Sequence, residues 1–139
     1  MQLFVALLFH LLAFLHCLLP LLSHFLYHIL HLGNGKWLAA SRTADERNLD
    51  LFVSEDNGKT WRFERMLTGP DMHPAHLLRL NDDRIMLSFG IRFGNHHGIG
   101  IRISEDEGTS WGRVKVITKL EGAKDIGYPS SIQCEDGTI

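Results

Sequence analysis

The sequence predicts an all-β protein built of four-stranded antiparallel sheets, and three observations carry that expectation. Residues 54–61 read SEDNGKTW and residues 104–111 read SEDEGTSW, nearly the same octamer written twice. The stretches LHLGNGKWLAA, LRLNDDRIMLS and IQCEDGTI repeat one figure: an apolar run, a Gly, Asn or Asp turn, and a second apolar run, which reads as a β-hairpin. Residues 36–118 also alternate apolar with polar and carry many β-branched residues and turn glycines, which argues against stacked helical pairs of similar period.

In chain order, the first unit is expected to place strands at 27–32, 36–41, 49–54 and 60–66. The GNG turn separates the first two, the polar insert TADERN separates the second and third, and the first octamer separates the third and fourth. The second unit repeats the plan at 75–80, 84–91, 99–104 and 111–118, with NDD, FGNHHG and the second octamer in the same places. DIGYPSS then leads into a third unit beginning over 128–139. A sheet that cannot bury its own apolar face must stack on copies of itself, and four strands per period suit one blade of a β-propeller. Blades at 27–66 and 75–118, with the opening of a third, are fewer than the roughly four that close a ring. The expectation is therefore a partial propeller, a fragment inactive on its own.

The octamer has a physical task at each third-to-fourth hairpin. Asp56 or Asp106 can accept backbone N–H groups as Asx turns do, Gly58 or Gly108 can take positive φ, and Trp61 or Trp111 supplies apolar area. The pattern resembles the Asp box, SxDxGxTW, of the sialidase and bacterial-neuraminidase-repeat propellers. Ser54, Asp56, Gly58, Thr60 and Trp61 match at every position; Ser104, Asp106, Gly108, Ser110 and Trp111 match with Ser110 in place of Thr, which keeps the hydroxyl. The resemblance covers residues 25–139. It implies a sialidase-like propeller, six-bladed in full-length members, with structural boxes set away from the catalytic face. It also implies a glycan substrate and exo-α-sialidase chemistry; the alternative is a non-catalytic Asp-box propeller that binds glycans or proteins, since a fold does not fix a function.

Loops of an up-and-down blade alternate between two faces. The boxes and the LGNGK, NDDR and EDGT turns share one; Arg42, Asp45, Glu46, Arg47, His73, Arg92, His96, His97, Asp125 and Tyr128 fall on the other. Arg42 and Arg92 hold equivalent repeat positions and would aim two guanidinium groups at one region, where such forks bind carboxylates in bidentate fashion. WLAASRTADER resembles the sialidase pattern in which an Arg ends a strand and a loop Asp a few residues on is the acid/base. The resemblance implies Asp45 as that acid/base and Arg42 as substrate-binding. Arg92, Asp125 and Tyr128 join it as substrate-binding candidates by their place on the same face. Against these roles, Asp45 and Arg47 are also placed to pair simply as surface charges. The chain departs from the family at His24–Tyr27, where a sialidase carries an FRIP-like segment and this one has no arginine; the nucleophilic Tyr and its partner Glu would belong to further blades.

Bulk properties bound the rest. With net charge −2 over 139 residues, no basic excess points to nucleic acid. Cys17 and Cys134 make no CxxC or zinc spacing, and neither GNG nor GIG continues into a phosphate-binding helix, so no metal or cofactor is expected. The His28/His31 and His73/His76 pairs lie in or beside strands and read as packed or surface histidines. Met1 to Gly35 carries no Asp, Glu, Lys or Arg, and residues 1–26 are apolar enough for a membrane-crossing helix of about 20 residues. Two readings stand: a signal peptide or anchor, placing the protein outside the cell or on a membrane, and a mistranslated leader lacking the basic n-region and small-residue cleavage site of a signal.

Overall fold

The computed structural model describes residues 27–43, 45, 47–120 and 127–139. The expected hydrophobic helix at 1–26 lies outside the described residues. Among those residues, no helix is long and apolar enough to cross a membrane.

Among the described residues, eight strands form two sheets. Strands β1 (Tyr27–Gly33), β2 (Lys36–Arg42), β3 (Leu49–Ser54) and β4 (Arg62–Met66) make the first; β5 (Met72–Arg79), β6 (Ile85–Ile91), β7 (His97–Ser104) and β8 (Lys115–Leu120) make the second. Each sheet runs in chain order with every neighbour antiparallel, the up-and-down order of a propeller blade. Among the described residues the fold is all-β, with two blade-like sheets.

The sheets meet through β5, which packs across β1, β2 and β3. Alternation makes the shared core. Leu38 and Ala40 from β2, Leu49, Leu51 and Val53 from β3, Leu77 from β5, and Leu87, Phe89 and Ile91 from β6 are buried in one cluster. Each such aliphatic side chain contributes about 1.5 to 3 kcal/mol when fully removed from water. Polar ties cross the same seam: Lys36 Nζ meets Glu107 Oε2 at 3.0 Å, and Arg79 Nη1 donates to the Leu32 carbonyl at 2.9 Å. The expected histidine pairs rearrange across it too. His28 of β1 lies against His76 of β5, ring centroids 4.3 Å apart, while His31 stacks on Trp37 at 4.2 Å.

Strand boundaries differ from the sequence expectation at several points, including the start of β7 at His97 rather than 99 and the end of β8 at Leu120 rather than 118. β5 begins at Met72 rather than 75, because a bulge between Met72 and Ala75 lets pairing with β6 reach Ile91. β4 begins at Arg62 rather than 60, directly after the turn that Trp61 closes, and β8 begins at Lys115 rather than 111, four residues beyond Trp111. Residues 127–139 form no strand; they lie against the second sheet through Ser131 to Ser88 (3.1 Å) and the Asn81 amide to Gln133 (2.7 Å), and turn back where the Cys134 amide bonds the Thr138 carbonyl.

Candidate functional site

Strand direction sorts the side chains onto two ends. In the first sheet Trp37 pairs with Ser54 and Arg42 with Leu49; in the second Ile85 pairs with Ser104 and Ile91 with Gly98. The octamers therefore sit at one end of both sheets, and Arg42 and Arg92 at the other.

At the octamer end the Ser, Asp, Thr or Ser, and Trp side chains bond within their own turn. Ser54 Oγ donates to Asp56 Oδ1 (2.8 Å) and accepts from the Gly58 amide (2.9 Å). Asp56 in turn accepts the Thr60 amide (2.9 Å) and hydroxyl (2.7 Å), and Trp61 Nε1 donates to the Gly58 carbonyl (3.1 Å). The second copy repeats each bond: Ser104 to Asp106 at 2.9 Å, Gly108 amide to Ser104 at 2.8 Å, Ser110 amide and hydroxyl to Asp106 at 2.7 and 2.6 Å, Trp111 to Gly108 at 3.0 Å. The Thr60 amide and hydroxyl hold the Asp56 carboxyl down to about 2. Bonds from the Ser110 hydroxyl and amide lower Asp106 likewise. Carboxylates so engaged are committed to the turn.

The other end is organised around His73, which is only 3% exposed. Arg92 follows β6 directly, and its amide donates to the Asp71 carbonyl at 2.9 Å, fastening it to the residues that precede β5. Its Nη1 donates to His73 Nδ1 at 2.7 Å. The same Nη1 lies 3.4 Å from His73 Nε2. Burial first, then the positive charges of Arg42 and Arg92, push the His73 pKa down to about 4; Asp71 opposes this and Arg47 adds to it. Arg42 ends β2 and shares its loop with Asp45 and Arg47, and that loop is closed by Thr43 and Asn48, whose side chains bond at 2.6 Å. The Arg92 guanidinium carbon also stands 5.0 Å from the centre of the Tyr128 ring, within cation–π range.

The structure thus brings Arg42, Arg92 and Tyr128 to one end, with Arg47 and Asp71 beside them. Asp45 is there and exposed. Arg47 reaches Asp71 at 3.8 Å, not Asp45, because the chain turns at Arg47 with φ 54° and carries its side chain toward the start of the second sheet. Asp125 and Glu46 lie outside the described residues. His96 and His97 stand where the β6–β7 turn, closed by the His96 amide on the Phe93 carbonyl, enters β7. Sequence reasoning put His73 on this face but did not see it as the group the arginines share; the signal available was a histidine at the mouth of an inner strand, next to a proline. Among the described residues no three His, Cys, Asp or Glu side chains come together as a metal site.

A family model described as a BNR repeat-like domain matches residues 25–139. The chain belongs to that family, within the sialidase-like BNR superfamily. A solved structure from Dyadobacter fermentans, a protein of unknown function, is similar to this BNR repeat chain at 30% identity and a TM-score of 0.62, covering 77% of this chain and 31% of its own. The GH93 α-L-arabinofuranosidase of Fusarium graminearum, solved with arabinobiose, is similar at 17% identity and a TM-score of 0.54, covering 68% of this chain and 30% of its own. That second likeness is one of fold alone. The chain spans about a third of the length of either protein. No curated protein matches it.

Proposed function

We propose that the intact protein is a BNR-repeat glycosidase of the sialidase type, acting on sugars that bear a carboxylate. The observation that carries this is the convergence of Arg42 and Arg92, from equivalent ends of two sheets, on the single buried His73. Guanidinium forks bind carboxylates through charge-assisted, bidentate bonds. In this reading Arg42 and Arg92 hold the carboxylate, Tyr128 backs the Arg92 guanidinium and flanks the sugar, and Asp45 protonates the leaving oxygen. Asp125 is proposed to line the same site. The octamers hold the sheets and take no part in the chemistry. Residues 1–26 are proposed to direct the protein out of the cell or onto a membrane; a deletion of that segment that leaves export and membrane fractionation unchanged would remove this proposal.

Kinetics of the intact protein test the assignment. Arg42→Ala and Arg92→Ala should each weaken binding of a sialoside by about 1.5 to 3 kcal/mol. Asp45→Asn should slow a natural sialoside by roughly 100- to 10,000-fold, and a nitrophenyl sialoside far less, because that leaving group needs no proton. Equal losses on both substrates would take the acid role from Asp45. Tighter binding of neutral arabinobiose than of the sialoside would sink the carboxylate reading, and binding without turnover would leave a non-catalytic glycan-binding propeller.

A further inference from the structure

We propose that the second sheet carries an accessory sugar-binding site at its octamer end, a cavity beside Trp111 that takes an acidic sugar and holds its oxyanion with Arg113 and Lys115. Only the choice of a sugar rests on the glycosidase reading above; the cavity and its charge stand apart from it, at the end opposite Arg42 and Arg92. Equivalent positions in the two sheets differ, and the difference carries the inference. In the first sheet Arg62 follows Trp61 directly, opens β4, and lines two small cavities of about 210 and 150 Å³. It pairs with Glu55 at 3.7 Å and with Glu64. In the second sheet Gly112 holds that place and β8 begins only at Lys115. One cavity of about 430 Å³ lies there, within the size of a small-ligand pocket.

The two places differ in charge as much as in size. Around Arg62 stand Glu55, Asp56, Glu64 and Glu107, with Lys36 as the other cation. The large cavity is lined instead by Arg84, Arg102, Arg113 and Lys115, against the carboxylate of Glu105. Arg102 places its donors on the Gly112, Trp111 and Leu67 carbonyls, and Arg84 pairs with Asp82 at 2.7 Å. Arg113 and Lys115 are exposed, and among the described residues neither side chain joins an ion pair. They are the cations open to a ligand. The Trp111 indole is fixed by its Nε1 bond to the Gly108 carbonyl and by packing on the shared core, and Ile101 and Ile103 extend its apolar surface. An aromatic wall with cations at its rim suits a sugar ring that bears a carboxylate or a sulfo group. The ring lies on the apolar surface, and the guanidinium and ammonium take the charged oxygens.

The experiment titrates the intact protein with glucuronic acid, N-sulfoglucosamine, glucose and inorganic sulfate, following the indole N–H signals of Trp111 and Trp61 by NMR. An acidic sugar should move Trp111 and leave Trp61, its equivalent in the first sheet, in place; the tighter of the two tells carboxylate from sulfo group. Glucose binding as tightly would overturn the role of the cations, and sulfate alone giving the same shift would overturn the sugar. Arg113→Gln combined with Lys115→Gln should weaken binding roughly tenfold, the worth of one charge-assisted bond. Gly112→Arg rebuilds the arginine of the first sheet and should abolish the Trp111 response although it adds a positive charge, which separates the cavity from bulk charge. A Cβ at Gly112 would stand 3.3 Å from the Ile103 carbonyl oxygen, so the double glutamine variant, which leaves the backbone alone, decides if that variant does not fold. Unchanged affinity in the double variant overturns the proposal. Arg92→Ala should keep the Trp111 response, and its loss would overturn a separate site. If no sugar moves Trp111 the accessory site falls, while the glycosidase reading is judged separately by the kinetics of the Arg42, Arg92 and Asp45 variants.

Discussion

Positions 52 and 102 are equivalent in the two sheets, yet they close the outer hairpin in different ways. In the first sheet Phe52 meets Phe63 of β4 edge to face, ring centroids 5.9 Å apart, and the β3–β4 ladder runs up to Arg62, the residue after Trp61. In the second sheet Arg102 stands where Phe52 does. Its Nε donates to the Gly112 carbonyl at 2.6 Å and its Nη2 to the Trp111 carbonyl at 2.8 Å, and Nη1 reaches the Leu67 carbonyl at the end of the first sheet. The Gly112 amide still bonds Ile103, but the β7–β8 ladder starts only at Lys115. The turn bonds are the same in both copies. The path of the chain beyond the turn is set by one side chain on the neighbouring strand: an aromatic pair keeps the strands zipped, whereas an arginine captures the carbonyls that would have extended the strand and uses them to join two sheets.

The glycine of each octamer breaks the comparison most sharply. Gly58 has φ +78° and a Cβ there would meet only Trp61, at 3.7 Å; Gly108 has φ +88° and a Cβ there would stand 2.8 Å from Leu38 Cδ1 in the buried seam. Gly58→Ala should cost about 1 to 2 kcal/mol for the left-handed backbone. Gly108→Ala adds overpacking of about 1 to 3 kcal/mol, so urea unfolding should separate the two variants clearly. Equal losses would mean that the second octamer is not held against the first sheet.

Acid should act on the second sheet next most strongly, through His73. Its folded pKa is depressed from 6.5 to about 4, so the unfolded chain binds the proton first as pH falls. The stabilisation is present in full above pH 6.5, declines between 6.5 and about 4, and is constant below that. The size is on the order of 3 kcal/mol. The difference in unfolding free energy between wild type and His73→Asn, followed across that range, isolates it from the other histidines; a pH-independent difference would count against a neutral buried imidazole.

Arg102→Leu should cost about 2 to 3 kcal/mol, since it strips the donor from carbonyls partly withdrawn from water. Phe52→Leu should cost about 1 kcal/mol, the edge-to-face contact and a little area. If the order reverses, the arginine is a surface decoration. The smallest effect is expected from Ser110→Thr, which makes the second octamer match the first: within about 0.5 kcal/mol, with unchanged hydrogen-exchange protection of the Ser104–Trp111 amides.

The octamers, the hairpins and the antiparallel order could be read directly, because each is fixed by residues within a few positions of one another. Asp56 finds Thr60 and Ser104 finds Gly108 four residues on, and a period-2 pattern states which face of a strand is buried. Even the two ends of the sheets follow from this, since strand direction and repeat position place Arg42 and Arg92 together. Other facts needed the third dimension. That β8 starts late depends on Arg102, ten residues before the carbonyl it captures, and on Leu67 in another sheet. That Arg47 faces Asp71 depends on a left-handed turn at a non-glycine residue, which composition does not announce. Tyr128 comes under Arg92 only because the chain returns to the second sheet after leaving it. His73 shows the division most plainly. The sequence placed it at the mouth of an inner strand, but its neutrality arises from burial and from charges contributed by separate loops, and an electrostatic field is a property of where those loops end up in space rather than of their order along the chain.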